Sequence, residues 1–188
     1  MKRFVLFLLL ALAVVASRAE ILGKAVFFRG HPEWKSVDAS APGQGEPPFP
    51  TLKYVPKDGR NAAILLTLIP SDLPGFAVTD LASLTRFNLL SAQPYLADPQ
   101  NPPPSSELKI RNALALAVTC EDPALIGKPV PPGEYRVATT ASVLLGRRFL
   151  IHCTIFYDEK ESPELRQALE ILQSASVAAE PAAPSSAI

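Results

Sequence analysis

The sequence has few cysteines and no excess charge of either sign. It contains 2 cysteines among 188 residues, and 18 basic residues balance 18 acidic ones. Two cysteines are too few for a disulfide-dense scaffold, and balanced charge argues against a protein that binds nucleic acid or another polyanion. We therefore expect neither a disulfide-stapled domain nor a nucleic-acid partner.

Motifs for catalysis and ligand binding are also missing. The sequence has no glycine-rich phosphate loop, no G-x-S-x-G elbow and no Walker motif. Its histidines, His31 and His152, and its cysteines, Cys120 and Cys153, show none of the spacings typical of metal ligands. The motifs thus predict no catalytic residue, no cofactor and no metal site.

What the sequence does contain is enough apolar material for one core. Hydrophobic residues make up 48% of the chain, which excludes a wholly disordered protein. Most of the 20 prolines gather around residues 42–56, 94–104 and 123–132 and in the C-terminal tail. Proline in such clusters marks stiff loops between regular elements.

The first 19 residues read as a secretory signal peptide. Lys2 and Arg3 precede the apolar run Phe4–Val15, and Ser17-Arg18-Ala19 fits the small-x-small rule for cleavage before Glu20. A retained membrane anchor is the alternative, but a spanning helix needs about 20 apolar residues. We expect an exported protein, periplasmic or secreted, whose mature chain is mildly acidic and has no membrane span.

The remaining chain predicts one α+β domain over residues 20–178, followed by a disordered Ala/Pro/Ser tail at 179–188. A helix starts at Thr79 or Asp80, with Thr79 as the candidate cap, and ends near Pro94. Residues 108–120 alternate as a strand, and Gly146-Arg147 joins two further strands in a hairpin. Ser162-Pro163-Glu164 opens a final helix whose inward stripe runs from Leu165 to Val177.

The order of these elements resembles the PsbP-like superfamily, which includes the photosystem II accessory protein and DcrB-like exported proteins. The resemblance rests on Phe28 and Pro32-Glu33-Trp34, on the hairpin, helix and meander that follow, and on the segment RFLIHCTIFYDEKESPELRQALEILQSAS at 148–176. It implies an antiparallel sheet with helices on both sides, an α/β/α sandwich. It also implies an exported accessory or binding protein, and it supplies no shared catalytic residues.

The two cysteines and the neighbouring histidine are the first residues to weigh for chemistry. In a simple meander Cys120 and Cys153 lie two strands apart, about 10 Å, which is too far for a disulfide. We expect two buried free thiols; a bond would require neighbouring strands or a second molecule. His152 and Cys153 are adjacent on one strand and point to opposite faces, so they cannot form a dyad with each other.

Three functions remain open from the sequence. The first is an exported, non-enzymatic accessory or binding domain, with an unknown protein or small molecule of the cell envelope as its partner. The second is a hydrolase or thiol enzyme that uses Cys153 or His152 with an acid such as Asp158 or Glu121. The third is a structural component of an envelope assembly, with Trp34, the single tryptophan, as a possible partner contact. Trp34 equally fits a core position.

Overall fold

Short apolar and alternating runs form antiparallel strands along most of the chain. The computed structural model describes residues 19–23, 25–38, 49–73, 76–146 and 148–177. The strands are β1 (Ala19–Leu22), β2 (Val26–Arg29), β3 (Trp34–Asp38), β4 (Thr51–Pro56), β5 (Ala63–Pro70), β6 (Asp72–Leu73), β7 (Phe76–Ala77), β8 (Ser106–Glu107), β9 (Ala113–Glu121), β10 (Val137–Leu145), β11 (Phe149–Tyr157) and β12 (Ser176–Val177). The helices are α1 (Leu81–Ala92) and α2 (Pro163–Gln173), and 3-10 turns cover Gln93–Tyr95 and Pro123–Leu125.

A seven-stranded antiparallel sheet organises the fold. Its order is β3-β4-β5-β11-β10-β9-β8. β1, β2 and β12 form a second antiparallel sheet, and β6 pairs with β7. The predicted α+β class, the β4–β5 hairpin and the β9-β10-β11 meander are confirmed.

The predicted strand at 108–120 is shorter than its alternation suggested. β9 starts only at Ala113, because the chain turns at Asn112, whose φ is +56°. Asparagine tolerates this left-handed conformation better than most residues. Leu108 lies before the turn and donates its N–H to the carbonyl of Ala115.

The hairpin predicted at Gly146-Arg147 is present with a longer loop. Leu145 pairs with Phe149, which leaves three residues between the strands instead of two. Gly146 has φ +58° and occupies the position where the chain needs a residue free of a Cβ penalty.

Helix α1 is capped by Asp80, and the prediction that Thr79 is the cap was wrong. The Asp80 carboxylate accepts from the Ser83 N–H at 2.7 Å, while the Asp80 N–H donates to the Ser83 hydroxyl. This reciprocal pair satisfies donors at the helix start. The helix stops at Ala92, and the following 3-10 turn contains Pro94, as predicted.

Helix α2 begins at Pro163, as predicted. It ends at Gln173, before Val177, the last residue of the predicted inward stripe. Ser162 takes the cap position without a side-chain hydrogen bond to the helix. Val177 lies in β12, where it pairs with Val26 of β2, so its predicted place on the helix was wrong. The helix stripe instead buries Ala168, Ile171 and Leu172.

The buried residues form separate clusters. Odd-numbered and even-numbered residues of the same strands belong to different clusters. The largest cluster joins the α2 stripe and the β1-β2-β12 sheet to odd-numbered residues of the meander. These are Ala115, Ala117, Val137, Ala141, Val143, Leu145, Ile151, Cys153, Ile155 and Tyr157. Two smaller clusters join α1 residues Leu84 and Ala92 to even-numbered residues, which are Leu116, Val118, Cys120, Leu144 and Leu150.

Several predictions concern parts of the chain outside the described residues. The signal peptide lies there except for Ala19, as do most of the 39–50 loop and the 179–188 tail. No helix within the described ranges is long and apolar enough to cross a membrane.

Candidate functional site

A small open pocket forms where three loops meet at the end of the meander. Segments 94–97, 120–123 and 135–138 line it, and its volume is about 280 Å³. We call it the tyrosine pocket, after Tyr95 and Tyr135 in its wall. Its floor contains Cys120 and Ala138, which are cross-strand neighbours, and Phe156 is the next neighbour of Ala138 on β11. The small Ala138 between two larger side chains leaves the hollow.

Phe156 fixes both tyrosine rings of the pocket. The Tyr135 ring stacks on Phe156 with centroids 5.0 Å apart, and the Tyr95 ring meets Phe156 edge-on at 5.6 Å. Such aromatic pairs contribute roughly 0.5–1.5 kcal/mol each beyond their burial. The pocket wall is therefore preformed and needs little ordering when a ligand arrives.

Arg136 brings a fixed positive charge to the same pocket. Its guanidinium donates to the backbone carbonyls of Leu125, Asp158 and Lys128 at 3.0, 3.1 and 2.6 Å. Among the described residues, no carboxylate side chain pairs with it. Asp122 also lines the pocket, and its Oδ1 accepts from the Ala124 N–H at 2.8 Å. The lining thus carries one cation and one anion, each held by the backbone.

The two cysteines are free thiols buried in different clusters. Cys120 lies at the pocket floor with 3% of its surface exposed, and Cys153 is fully buried in the largest cluster. Burial raises the pKa of both thiols, which disfavours the reactive thiolate. The prediction of two separated free thiols is confirmed.

A group of polar side chains lies between α1 and the sheet. We call Asn88, Thr140, Ser142, His152 and Thr154 the His152 cluster. Ser142 donates to the Asn88 Oδ1 at 2.8 Å and sits directly opposite His152 across the β10–β11 pair. Thr140 is opposite Thr154, whose hydroxyl lies 3.2 Å from the His152 Nε2. The four residues of β10 and β11 are thus two neighbouring cross-strand pairs, and Asn88 contacts them from α1.

Three buried atoms of this cluster have no hydrogen-bond partner within the described part of the chain. They are Nδ2 of Asn88, Oγ1 of Thr140 and Nδ1 of His152. Each unpaired buried polar atom costs about 1–3 kcal/mol. Native proteins pair almost all such groups, so three in one place distinguish the α1 interface from the rest of the core.

His152 is held as a neutral ring inside this interface. Burial lowers its pKa to about 4, because a charged imidazolium would lose its hydration there. Its ring packs edge-on against Phe87 of α1 at 5.6 Å between centroids. Burial raises the pKa of Tyr95, and the nearby Thr154 side chain opposes that rise.

The residues proposed for a thiol or hydrolytic enzyme are not brought together among the described residues. His152 faces α1, whereas Cys153 lies in the opposite-parity cluster. Asp158 accepts from the Asn61 amide at 3.1 Å, and Glu121 pairs with Lys160 at 2.9 Å. Neither carboxylate bonds to His152 or Cys153. The geometry does not assemble a nucleophile, a base and an orienting acid from these candidates.

Trp34 is a core residue with 3% of its surface exposed. Its indole N–H donates to the Gln167 Oε1 at 2.8 Å, and the Gln167 amide donates to Glu33 at 2.7 Å. The ring presents almost no surface to a partner while these contacts hold. Its role as a partner contact stays a prediction, and the core interpretation describes its position.

Arg60 forms salt bridges with three carboxylates on the surface next to Trp34. Its guanidinium reaches Glu33 at 2.8 Å, Asp58 at 3.1 Å and Glu164 at 2.9 Å. These carboxylates come from the turn before β3, the turn after β4 and the first turn of α2. A charged network, instead of an apolar patch, therefore lies beside Trp34.

Motif reading missed the residues that build the pocket and the polar interface. Asn88 had the clearest signal, because it falls four residues after Leu84 on the inward stripe of α1. Tyr95 and Tyr135 lie in loops near prolines, where no periodicity applies.

No protein-family model matches the chain, and the curated proteins yield no relative. Among solved structures, the chain is similar to the Ran-binding protein Mog1p of Saccharomyces cerevisiae. The two share 14% identity, the match covers 86% of this chain and 96% of that one, and the TM-score is 0.48.

Proposed function

We propose that this chain is an exported, non-enzymatic binding domain with a PsbP-like α/β/α sandwich, and that the tyrosine pocket is its binding site. The observation that carries the proposal is the preformed pocket itself. It places two rigid tyrosine rings beside fixed polar groups, and such polar groups set the orientation of a bound ligand.

The division of odd-numbered and even-numbered strand residues between the buried clusters supports an α/β/α sandwich. Neighbouring residues on a strand point to opposite faces. Helix α1 shares clusters with even-numbered residues of β9 and β10, whereas α2 shares one with odd-numbered residues. This arrangement favours helices on both sides of the central sheet.

The state of the candidate nucleophiles supports binding over catalysis. A thiol enzyme needs an accessible thiolate beside a base. Cys153 has no exposed surface, and burial raises the pKa of both thiols, which disfavours the thiolate. The pocket can hold a molecule without any of these residues reacting with it.

Export rests on the signal-like segment at residues 1–19. The test is expression of the whole chain with a C-terminal tag in a Gram-negative host, followed by fractionation and N-terminal analysis. We expect an exported product that begins at Glu20. A product that keeps Met1 in the cytoplasm would contradict export while leaving the binding proposal intact.

Binding is tested by amide chemical shifts of residues 20–188 during titration with capped single amino acids, one side-chain type at a time. We expect at least one type to move the signals of Tyr95, Tyr135 and Ala138. Ala138→Leu, which fills the pocket, should abolish these shifts, whereas Ala82→Leu on the exposed side of α1 should keep them. The proposal fails if no probe moves these signals, or if the filled pocket responds unchanged.

A further inference from the structure

The tyrosine pocket is a small, open hollow. Its volume of about 280 Å³ lies below the range of roughly 300–1,000 Å³ for sites that enclose a drug-sized ligand. It is also open, so a ligand seated in it continues onto the surrounding surface. A side chain that projects from a longer molecule fits these dimensions better than an enclosed metabolite.

Rigid, flat rings form part of the pocket wall. Pro94 and Pro123 stand with the two tyrosines in the lining, and all four rings have few internal rotations to lose. Ile126, just beyond Pro123, has 55% of its surface exposed. An aromatic-lined groove with an apolar rim is the usual docking surface for a proline-rich peptide in the extended polyproline II conformation.

The polar groups of the pocket match the hydrogen-bonding needs of such a peptide. A polyproline II backbone has no internal hydrogen bonds, and its prolines have carbonyl acceptors but no N–H donors. The pocket supplies donors. Arg136 uses three of its five N–H groups on backbone carbonyls, which leaves two in a fixed orientation. The Tyr135 hydroxyl adds a donor, since among the described residues that side chain makes only its ring contact.

We propose that the tyrosine pocket binds a proline-rich segment of a partner protein, with a proline ring seated above Ala138 and backbone carbonyls accepting from Tyr135 and Arg136. This inference rests on the proposed binding function and names the chemistry of its ligand. The single anion in the lining, Asp122, already accepts from the Ala124 N–H, so the site selects by shape and donors more than by net charge.

The test measures fluorescence anisotropy of a dye-labelled, end-capped oligoproline titrated with residues 20–188 of the protein. A glycine–serine peptide of the same length and label is the matched probe. We expect saturable binding of the oligoproline alone. Tyr135→Ala should weaken it about tenfold through the lost ring contact. Tyr135→Phe, which keeps the ring and removes one donor, should weaken it roughly 2- to 10-fold.

Arg166→Lys, on an exposed position of α2, serves as the control variant and should bind like the unmodified chain. Circular dichroism and thermal unfolding confirm that each variant is folded. Equal binding of the two peptides, absence of binding, or oligoproline binding unchanged in Tyr135→Ala would overturn the inference. If oligoproline fails while a capped single amino acid still moves the pocket signals, the ligand class is wrong and the proposed binding function stands.

Discussion

Acidification should destabilise the fold through His152. The folded-state pKa of this imidazole is about 4, against an ordinary value of 6.5, because the ring is buried between α1 and the sheet. The unfolded chain therefore takes up a proton more readily than the folded chain. The stabilisation is complete above pH 6.5 and is lost as pH falls through about 4.

The size of this effect follows from the two pKa values. Each unit of difference corresponds to 1.36 kcal/mol, so His152 should remove about 3 kcal/mol of unfolding free energy between pH 7 and the acid limit. That is a large share of the 5–15 kcal/mol that typically holds a domain of this size together. The loss should follow the titration of one proton, with a slope approaching 1.36 kcal/mol per pH unit.

The assay is urea unfolding at constant ionic strength across this pH range, with His152→Phe as the comparison. Phenylalanine keeps an aromatic ring against Phe87 and cannot titrate. Carboxylates with lowered pKa values, such as Asp58 and Asp98, also affect acid stability, but they are present in both proteins. The difference between the two curves isolates His152. Parallel curves would refute the burial of a neutral histidine in this interface.

Three further predictions concern the salt bridges of Arg60, the hydrogen bond of Gln167 to Trp34, and the two thiols. Arg60→Ala should lower the unfolding free energy by about 1–2 kcal/mol, since one partly exposed guanidinium serves three carboxylates; Arg60→Lys should recover only part of it in the same urea assay. Gln167→Leu should cost about 1–3 kcal/mol by leaving the Trp34 N–H unpaired, and a change in Trp34 fluorescence checks this. Thiol labelling of the native protein should leave Cys153 unreacted and Cys120 slow, and both should react in urea; fast native labelling of Cys153 would revive the thiol-enzyme alternative.

Much of the central sheet could be predicted because its signals are local. Alternation along β10 and β11 and the glycine at position 146 place two neighbouring strands without long-range information. The separation of Cys120 from Cys153 follows from the same meander. The end of α1 and the start of α2 could also be predicted, since Pro94 and Pro163 act on their own turns.

What the sequence could not predict depends on residues distant along the chain. β12 forms because Val177 meets Val26, a pairing that no local pattern encodes. The Trp34–Gln167 hydrogen bond likewise joins residues 133 positions apart. The tyrosine pocket combines three loops, and loop positions carry no periodic signal that could bring Tyr95 and Tyr135 together.

Most of the core is packed from apolar side chains, and the polar interface between α1 and the sheet is the clearest exception. Asn88 occupies a position on the inward stripe where an apolar residue would pack, and it leaves its amide donor unpaired among the described residues. Places where a sequence breaks a local rule are commonly functional or strained sites. Helix α1 runs directly into the turn that carries Tyr95, and Thr154, whose hydroxyl lies 3.2 Å from the His152 Nε2, is near that tyrosine. Through α1, the wall of the tyrosine pocket is therefore joined to an interface that combines apolar packing at Leu84 with the polar contacts of the His152 cluster.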